Sequence, residues 1–211
     1  MQKTKIHSVL LLALALAAPA LPAQEAEPNA MLQSVTLEVI AALKHERDLH
    51  GGNLKQGASL IETKLVPLFD FSRMTQIAVA RNWRLATPEQ QAALTVEFKT
   101  LLVRTYSLAL SSYRDQVIEF RSPRAAPTAT EVTVKSVVKQ SGTAPVAMDY
   151  DMEKTASGWK IYDVKVGGVS LVTTYRDSFS EKIRVDGVDG LVKALEDKNR
   201  QGESHSRAPR T

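Results

Sequence analysis

The chain contains no cysteine. Disulfides, thiolate metal sites and thiol nucleophiles are therefore excluded, and stability has to come from buried apolar surface. Histidine is scarce: His7 and His205 lie near the termini, and His45 and His50, five apart, do not share a helix face. With no thiolate or carboxylate partner at ligand spacing, no metal site is expected. Aromatics are only 6% of the residues and form no ladder of stacking rings, which argues against nucleic acid. No phosphate-loop or dinucleotide fingerprint occurs. "GGVSLV" (167–172) is not a nucleophile elbow, because no glycine follows Ser170 at the required place. After Ala18 no apolar run is long enough to cross a bilayer.

What is present starts with an address. Lys3 and Lys5 precede an apolar run from Val9 to Ala18, and Pro19-Ala20-Leu21-Pro22-Ala23 offers the small residues a signal peptidase accepts. The run is too short to span a hydrocarbon core of ~30 Å. Residues 1–23 thus read as a secretory signal, cut after Ala23 with Ala20 as the alternative, and the mature protein is expected in the periplasm, composition leaving release outside the cell open. Two of the 27 basic residues and none of the 23 acids lie in that segment, which takes the net charge from +4 to +2. So small a surplus gives little reason to expect a polyanion partner. One domain over 24–199 is expected, with 200–211, "RQGESHSRAPRT", as a disordered tail.

The first half has helical periodicity. Leu32, Val35, Val39 and Leu43 mark a helix over 29–48, and a second is expected over 54–66. Asp70 can cap a short helix ending near Arg81. "ATPEQ" is a strong start signal: Thr87 and Gln90 form a capping box and Pro88 needs no donor partner. The helix that follows, to about Tyr113, shows one seam through Leu94, Phe98, Leu101, Leu102, Leu108 and Ala109. A second runs through Val96, Val103 and Leu110, as if the helix touched two apolar surfaces. The second half reads as strands at 116–120, 130–139, 145–154 and 158–166, then helices near 170–184 and 188–198. The fold class expected is α+β: a twisted antiparallel sheet of four or five strands packed against several helices.

Val146, Met148, Tyr150 and Met152 alternate with Asp149, Asp151 and Glu153, which gives that strand an apolar and a charged face. Lys135 and Lys139 are expected across from the acids, so charge pairing explains them without chemistry. Strict alternation along 158–166 would send Trp159 and Ile161 one way and Tyr162, Val164 and Val166 the other, with apolar surroundings on both sides. Gly167-Gly168-Val169-Ser170 reads as the start of a helix whose free N–H groups can hold a phosphate, or as a plain strand-to-helix turn. Arg81 and Arg84 around Trp83 can meet a headgroup, or Trp83 can simply close a core. The apolar surplus as a whole fits either a filled core or a ligand cavity between sheet and helices, with Met74, Met148 and Met152 suited to a flexible guest.

Two stretches, "LVPLFDFSRMTQIAVARNWRLATPEQQAALTVEFKTLLVRTYSLALSSY" (65–113) and "GWKIYDVKVGGVSLVTTYRDSFSEKIRVDGVDGLVKAL" (158–195), resemble the MlaC family of periplasmic phospholipid shuttles, also called toluene-tolerance auxiliary proteins. The resemblance implies a sheet backed by helices around a deep apolar pocket for acyl tails, with the headgroup near its mouth. It implies no cofactor other than phospholipid cargo and no enzymatic activity. The partners it implies are an outer-membrane lipoprotein bound to a porin and an inner-membrane ABC transporter with a substrate-binding hexamer and an ATPase. By position, the lining candidates are Met74, Phe98, Leu102, Tyr106, Val146, Met148, Tyr150, Tyr162, Val164, Val166, Val169 and Val172. The headgroup candidates are Gly168, Ser170, Arg81 and Arg84. Two other classes stay open: an enzyme on the same kind of fold with Asp163 as a buried base, and a periplasmic chaperone or scaffold.

Overall fold

The protein was analysed as a computed structural model that describes residues 27–50, 61–111, 116–121, 126 and 128–207. The expected signal segment, most of the helix expected over 54–66, and residues 208–211 fall outside these.

Helix α1 spans Pro28–His50 and buries Leu32 and Val39. A π-helical turn at Ile61–Leu65 and a 3₁₀ turn at Val66–Leu68, with Pro67 inside it, lead to α2, Phe71–Val79. Asp70 caps α2 as expected, its Oδ1 accepting from the Arg73 N–H at 2.8 Å. The helix stops short of Arg81 because Ala80 takes φ 53°, ψ −128°, and the chain goes on as a 3₁₀ turn over Ala80–Leu85. The capping box forms: the Thr87 N–H donates to Gln90 Oε1 at 3.0 Å and the Gln90 N–H to Thr87 Oγ1 at 3.2 Å. Helix α3 then runs over Pro88–Ser111.

The first seam of α3 meets the core, and the second is exposed at Val96 and half-buried at Val103. Leu94, Phe98, Leu101 and Leu102 are buried, whereas Val96 is 59% exposed. The side between the seams is polar and bound to α4 (Arg176–Arg207): Asn199 Nδ2 donates to Glu97 Oε2 at 2.7 Å, and Arg104 donates to the Lys198 and Asn199 carbonyls. The two closing helices expected from sequence are thus one helix, kinked at Gly187, where φ is 71° and ψ −178°. It continues through residues 200–207, which the sequence reading assigned to a disordered tail; Arg200 pairs with Asp197 one turn back and helps extend it.

Five strands follow one another in an antiparallel meander: β1 Val117–Phe120, β2 Glu131–Lys139, β3 Val146–Thr155, β4 Gly158–Val166 and β5 Val169–Ser170. The segment expected to open a helix is instead the β4–β5 hairpin, turned by Gly167 and Gly168, both at positive φ. A bulge in β4 changes the reading of its faces. Met152 pairs with Ile161 but Asp151 pairs with Asp163, so Tyr162 is the extra residue. Side-chain phase resets there, and Ile161, Val164 and Val166 all join the face of Met152, Tyr150 and Met148. The apolar residues of β4 therefore look one way, not two.

Two cores result. Met74, Ala78, Leu94, Phe98, Leu101, Phe179, Ile183 and Leu191 unite α2, α3 and α4. Leu32 of α1 packs with Val134, Met152, Trp159, Ile161 and Val164 on the inner sheet face. Phe69, half-buried, packs against both.

Candidate functional site

The register sorts the inner sheet face into rungs. Val132, Met152 and Ile161 form the first, then Val134, Tyr150 and Val164. Next come Phe120, Ser136, Met148, Val166 and Val169, and finally Ile118, Val138 and Val146. Along β3 and β4 burial falls through this series, while Ser136 on β2 stays buried. Met152 and Ile161 are closed off, Phe120, Tyr150, Met148 and Val166 are half-buried, and Val146 and Val169 are 43% and 57% exposed.

The closed end is closed by the chain entering α2. Phe69 bridges to Ile161, the Asp70 N–H donates to the Ile161 carbonyl at 2.8 Å, and Lys160 Nζ donates to the Pro67 carbonyl at 2.6 Å. Around the outer face, Arg73 bonds Glu153 and, at 2.6 Å, Glu131, and its guanidinium sits 3.8 Å over the Tyr162 ring. Its neighbours Glu131 and Glu153 hold its pKa above the ordinary arginine value, against the burial that lowers it.

Polar groups on the inner face are few and satisfied. Ser136 is buried, its Oγ donating to the Met148 carbonyl at 3.2 Å. Burial raises the Tyr150 phenol pKa, and the ring stacks on Phe120 with centroids 6.4 Å apart. Burial likewise raises the Tyr106 phenol, and Tyr175 in the helical core adds to the shift. Such a face offers apolar contact and aromatic rims.

The structure divides the lining candidates into groups. Met74, Phe98, Leu102 and Val172 are buried within the helical core, where Phe98 meets Tyr175 and Phe179 edge-on, and Tyr106 packs against that core. Val164 is buried on the sheet face, Met148, Tyr150 and Val166 are half-buried there, and Val146 and Val169 end the open rungs. Tyr162 is the correction: as the bulged residue it lies on the charged face under Arg73, away from the apolar rungs.

The headgroup candidates do not converge. Ser170 Oγ accepts from the Val172 and Thr173 N–H groups at 3.2 and 2.9 Å, so the donors expected to be free for a phosphate are engaged internally. Gly168 is a turn residue of the hairpin, while Arg81 and Arg84 lie on the 3₁₀ turn beside α4. Asp163 shares a face with Asp151 and is 5% exposed; burial raises its pKa and Ser170 moderates the shift. The acidic row is structural where it is described: Lys135 lies opposite Asp149, and Lys165 pairs with Asp151 at 2.7 Å. Lys139 instead reaches Glu119 at 2.7 Å. Among the described residues no three His, Cys, Asp or Glu side chains gather to hold a metal ion.

Sequence reading missed Ile118, Phe120, Val132 and Val138 as inner-face residues. Their period-two spacing was visible, but only the register shows that they continue the rungs of β3 and β4.

Comparison with known proteins follows the same lines. The family model described as MlaC protein matches residues 33–197. The toluene tolerance protein ttg2D of Pseudomonas putida is 27% identical over 180 residues, which cover 85% of this chain and 83% of that protein. The intermembrane phospholipid transport system binding protein MlaC of Haemophilus influenzae is 21% identical over 141 residues, 65% of this chain and 66% of that one. A solved structure, the phospholipid-binding protein of Ralstonia solanacearum in complex with a phospholipid, is 42% identical with a TM-score of 0.75 and covers 84% of this chain and 99% of its own.

Proposed function

This chain belongs to the MlaC family, and from that premise we propose that it is a non-catalytic phospholipid carrier of the periplasm. It takes up diacyl phospholipid on the inner sheet face and shuttles it between an outer-membrane lipoprotein–porin complex and an inner-membrane lipid ABC transporter. In doing so it maintains the lipid asymmetry of the outer membrane. The observation that carries the reading is the run of half-buried apolar rungs, Phe120, Tyr150, Met148 and Val166, on a fold whose relative was solved with a phospholipid bound.

The physics explains why a carrier is needed. At ~0.8 kcal/mol per methylene, two acyl tails of around thirty methylenes represent on the order of 20 kcal/mol of apolar burial, so free lipid does not cross water at a useful rate. The open rungs supply apolar surface for tails, and the exposed end at Val146 and Val169 is where a headgroup meets water. Release follows from relative affinity: cargo leaves when a docked partner binds it as well as the carrier does.

Native mass spectrometry of the purified mature chain, followed by lipid extraction, tests this. Diacyl phospholipid bound in stoichiometric amount is the expected result. A protein that arrives empty and takes none from liposomes refutes it.

A further inference from the structure

Every other arginine whose side chain is described donates to a carboxylate or a carbonyl. Arg81 and Arg84 have no such acceptor among the described residues, and both are exposed. Between and beside them sit half-buried Trp83, which packs on the helical core, and Leu85, which is 71% exposed.

This projection is rigid. Gln91 Nε2 donates to the Trp83 carbonyl at 3.0 Å and the Ala86 carbonyl at 3.3 Å, Asn82 bonds Ser180, and Gln90 donates to Asp189 at 2.7 Å. The turn opens with Ala80 at φ 53°, a conformation that L-residues disfavour and that persists only when its surroundings impose it. The bonds to Ser180 and Asp189 lay it along the stretch of α4 that exposes Val185 at 61%. The acids of that stretch are engaged: Glu181 with Arg184, Asp186 with Lys182, Asp189 with Gln90. The two guanidiniums of the turn are thus unneutralised charges flanking exposed apolar side chains.

We propose that the Arg81–Leu85 turn is a docking surface for an anionic lipid bilayer, the guanidiniums meeting lipid phosphates while Leu85 enters the headgroup layer. Free guanidiniums, an aromatic body and an exposed leucine on a fixed projection are the chemistry of interfacial contact. The inference builds on the carrier reading, since a lipid carrier gains from touching the surface that holds its cargo. The contact is weak and salt-dependent, as transient contact requires. Each arginine near an anionic surface contributes about fivefold in affinity, so losing both costs roughly 25-fold.

The test is flotation of the lipid-loaded mature chain with vesicles of phosphatidylcholine alone and of an equimolar phosphatidylcholine–phosphatidylglycerol mixture. Wild type is expected to float with the anionic vesicles and to be released by salt. Arg81→Ala with Arg84→Ala is expected to abolish flotation, Leu85→Ser to weaken it, and Arg81→Lys with Arg84→Lys to keep it. Circular dichroism and native mass spectrometry of bound lipid are run on each variant. A wild type that ignores anionic vesicles overturns the proposal, as does a folded double alanine variant that still floats. A chain that carries lipid but does not float refutes this docking surface and leaves the carrier reading intact. One that floats without cargo does the reverse.

Discussion

Replacing Arg73 with alanine removes the main tie between α2 and the outer sheet face. Its guanidinium has three contacts of unequal worth. The Glu131 arm is surface-like, with that carboxylate's side chain 56% exposed, and contributes about 0.5 kcal/mol. Glu153 is only 19% exposed, so its charge-assisted bond contributes ~1.5 kcal/mol, and stacking on Tyr162 adds about 0.5 to 1. Arg73→Ala is therefore expected to cost roughly 2.5 to 3 kcal/mol, about 5 to 12 °C in melting temperature for a domain of this size. A second effect gives the prediction a sign. Glu131 and Glu153 are direct cross-strand partners, and without Arg73 they face each other as like charges. Glu131→Gln should therefore destabilise the wild type slightly and stabilise the Arg73→Ala variant. Urea unfolding of the four proteins in this cycle reads both quantities. The reasoning fails if Arg73→Ala leaves the midpoint unmoved, or if Glu131→Gln has the same sign in both backgrounds.

Other expectations follow from single positions. Met148→Arg or Val166→Arg should reduce copurified phospholipid several-fold while circular dichroism is unchanged, because each half-buried site lets a long side chain reach water; undiminished lipid would remove these residues from the lining. Ala80→Gly should raise the melting temperature by about 2 to 4 °C by relieving roughly 1 kcal/mol at φ 53°, and a lower value would show that the methyl group matters more than the backbone. Asp163 has its carboxyl pKa raised by burial, so the native state holds that proton to higher pH than the unfolded chain does. Its contribution to stability is thus lost as pH climbs from the ordinary carboxyl value through the raised one, and Asp163→Asn should flatten that part of a stability–pH curve. A steeper curve in the variant would contradict the assignment.

Much of the fold was legible because local signals were strong. The Thr87–Gln90 box, the Asp70 cap and the four long strands needed no tertiary information. The misreadings share a cause, which is backbone geometry decided by pairing. Gly167-Gly168 serves a hairpin turn as well as a helix entry, and only the partner strand chooses. Val96 fits a second seam by period, yet Glu97 and Arg104 commit that side to α4. The candidate lining was the least legible part, since an apolar residue looks the same in sequence whether protein or lipid covers it. Phe98 and Met148 were indistinguishable there and differ sharply in burial.

The bulge at Tyr162 makes β4 a strand with two parities. Counting outward from either side, the same face carries odd positions up to Ile161 and even positions from Val164. Deleting Tyr162 would remove the extra residue, so Ile161, Val164 and Val166 would still face the apolar side opposite Met152, Tyr150 and Met148 while Asp163 stayed outward, and the two parities would merge into one. The strand would lose only the ring that lies under Arg73. Removing Lys165 instead would turn Val166 outward or bring Asp163 onto the apolar face, so where the extra residue sits matters more than which side chain fills it.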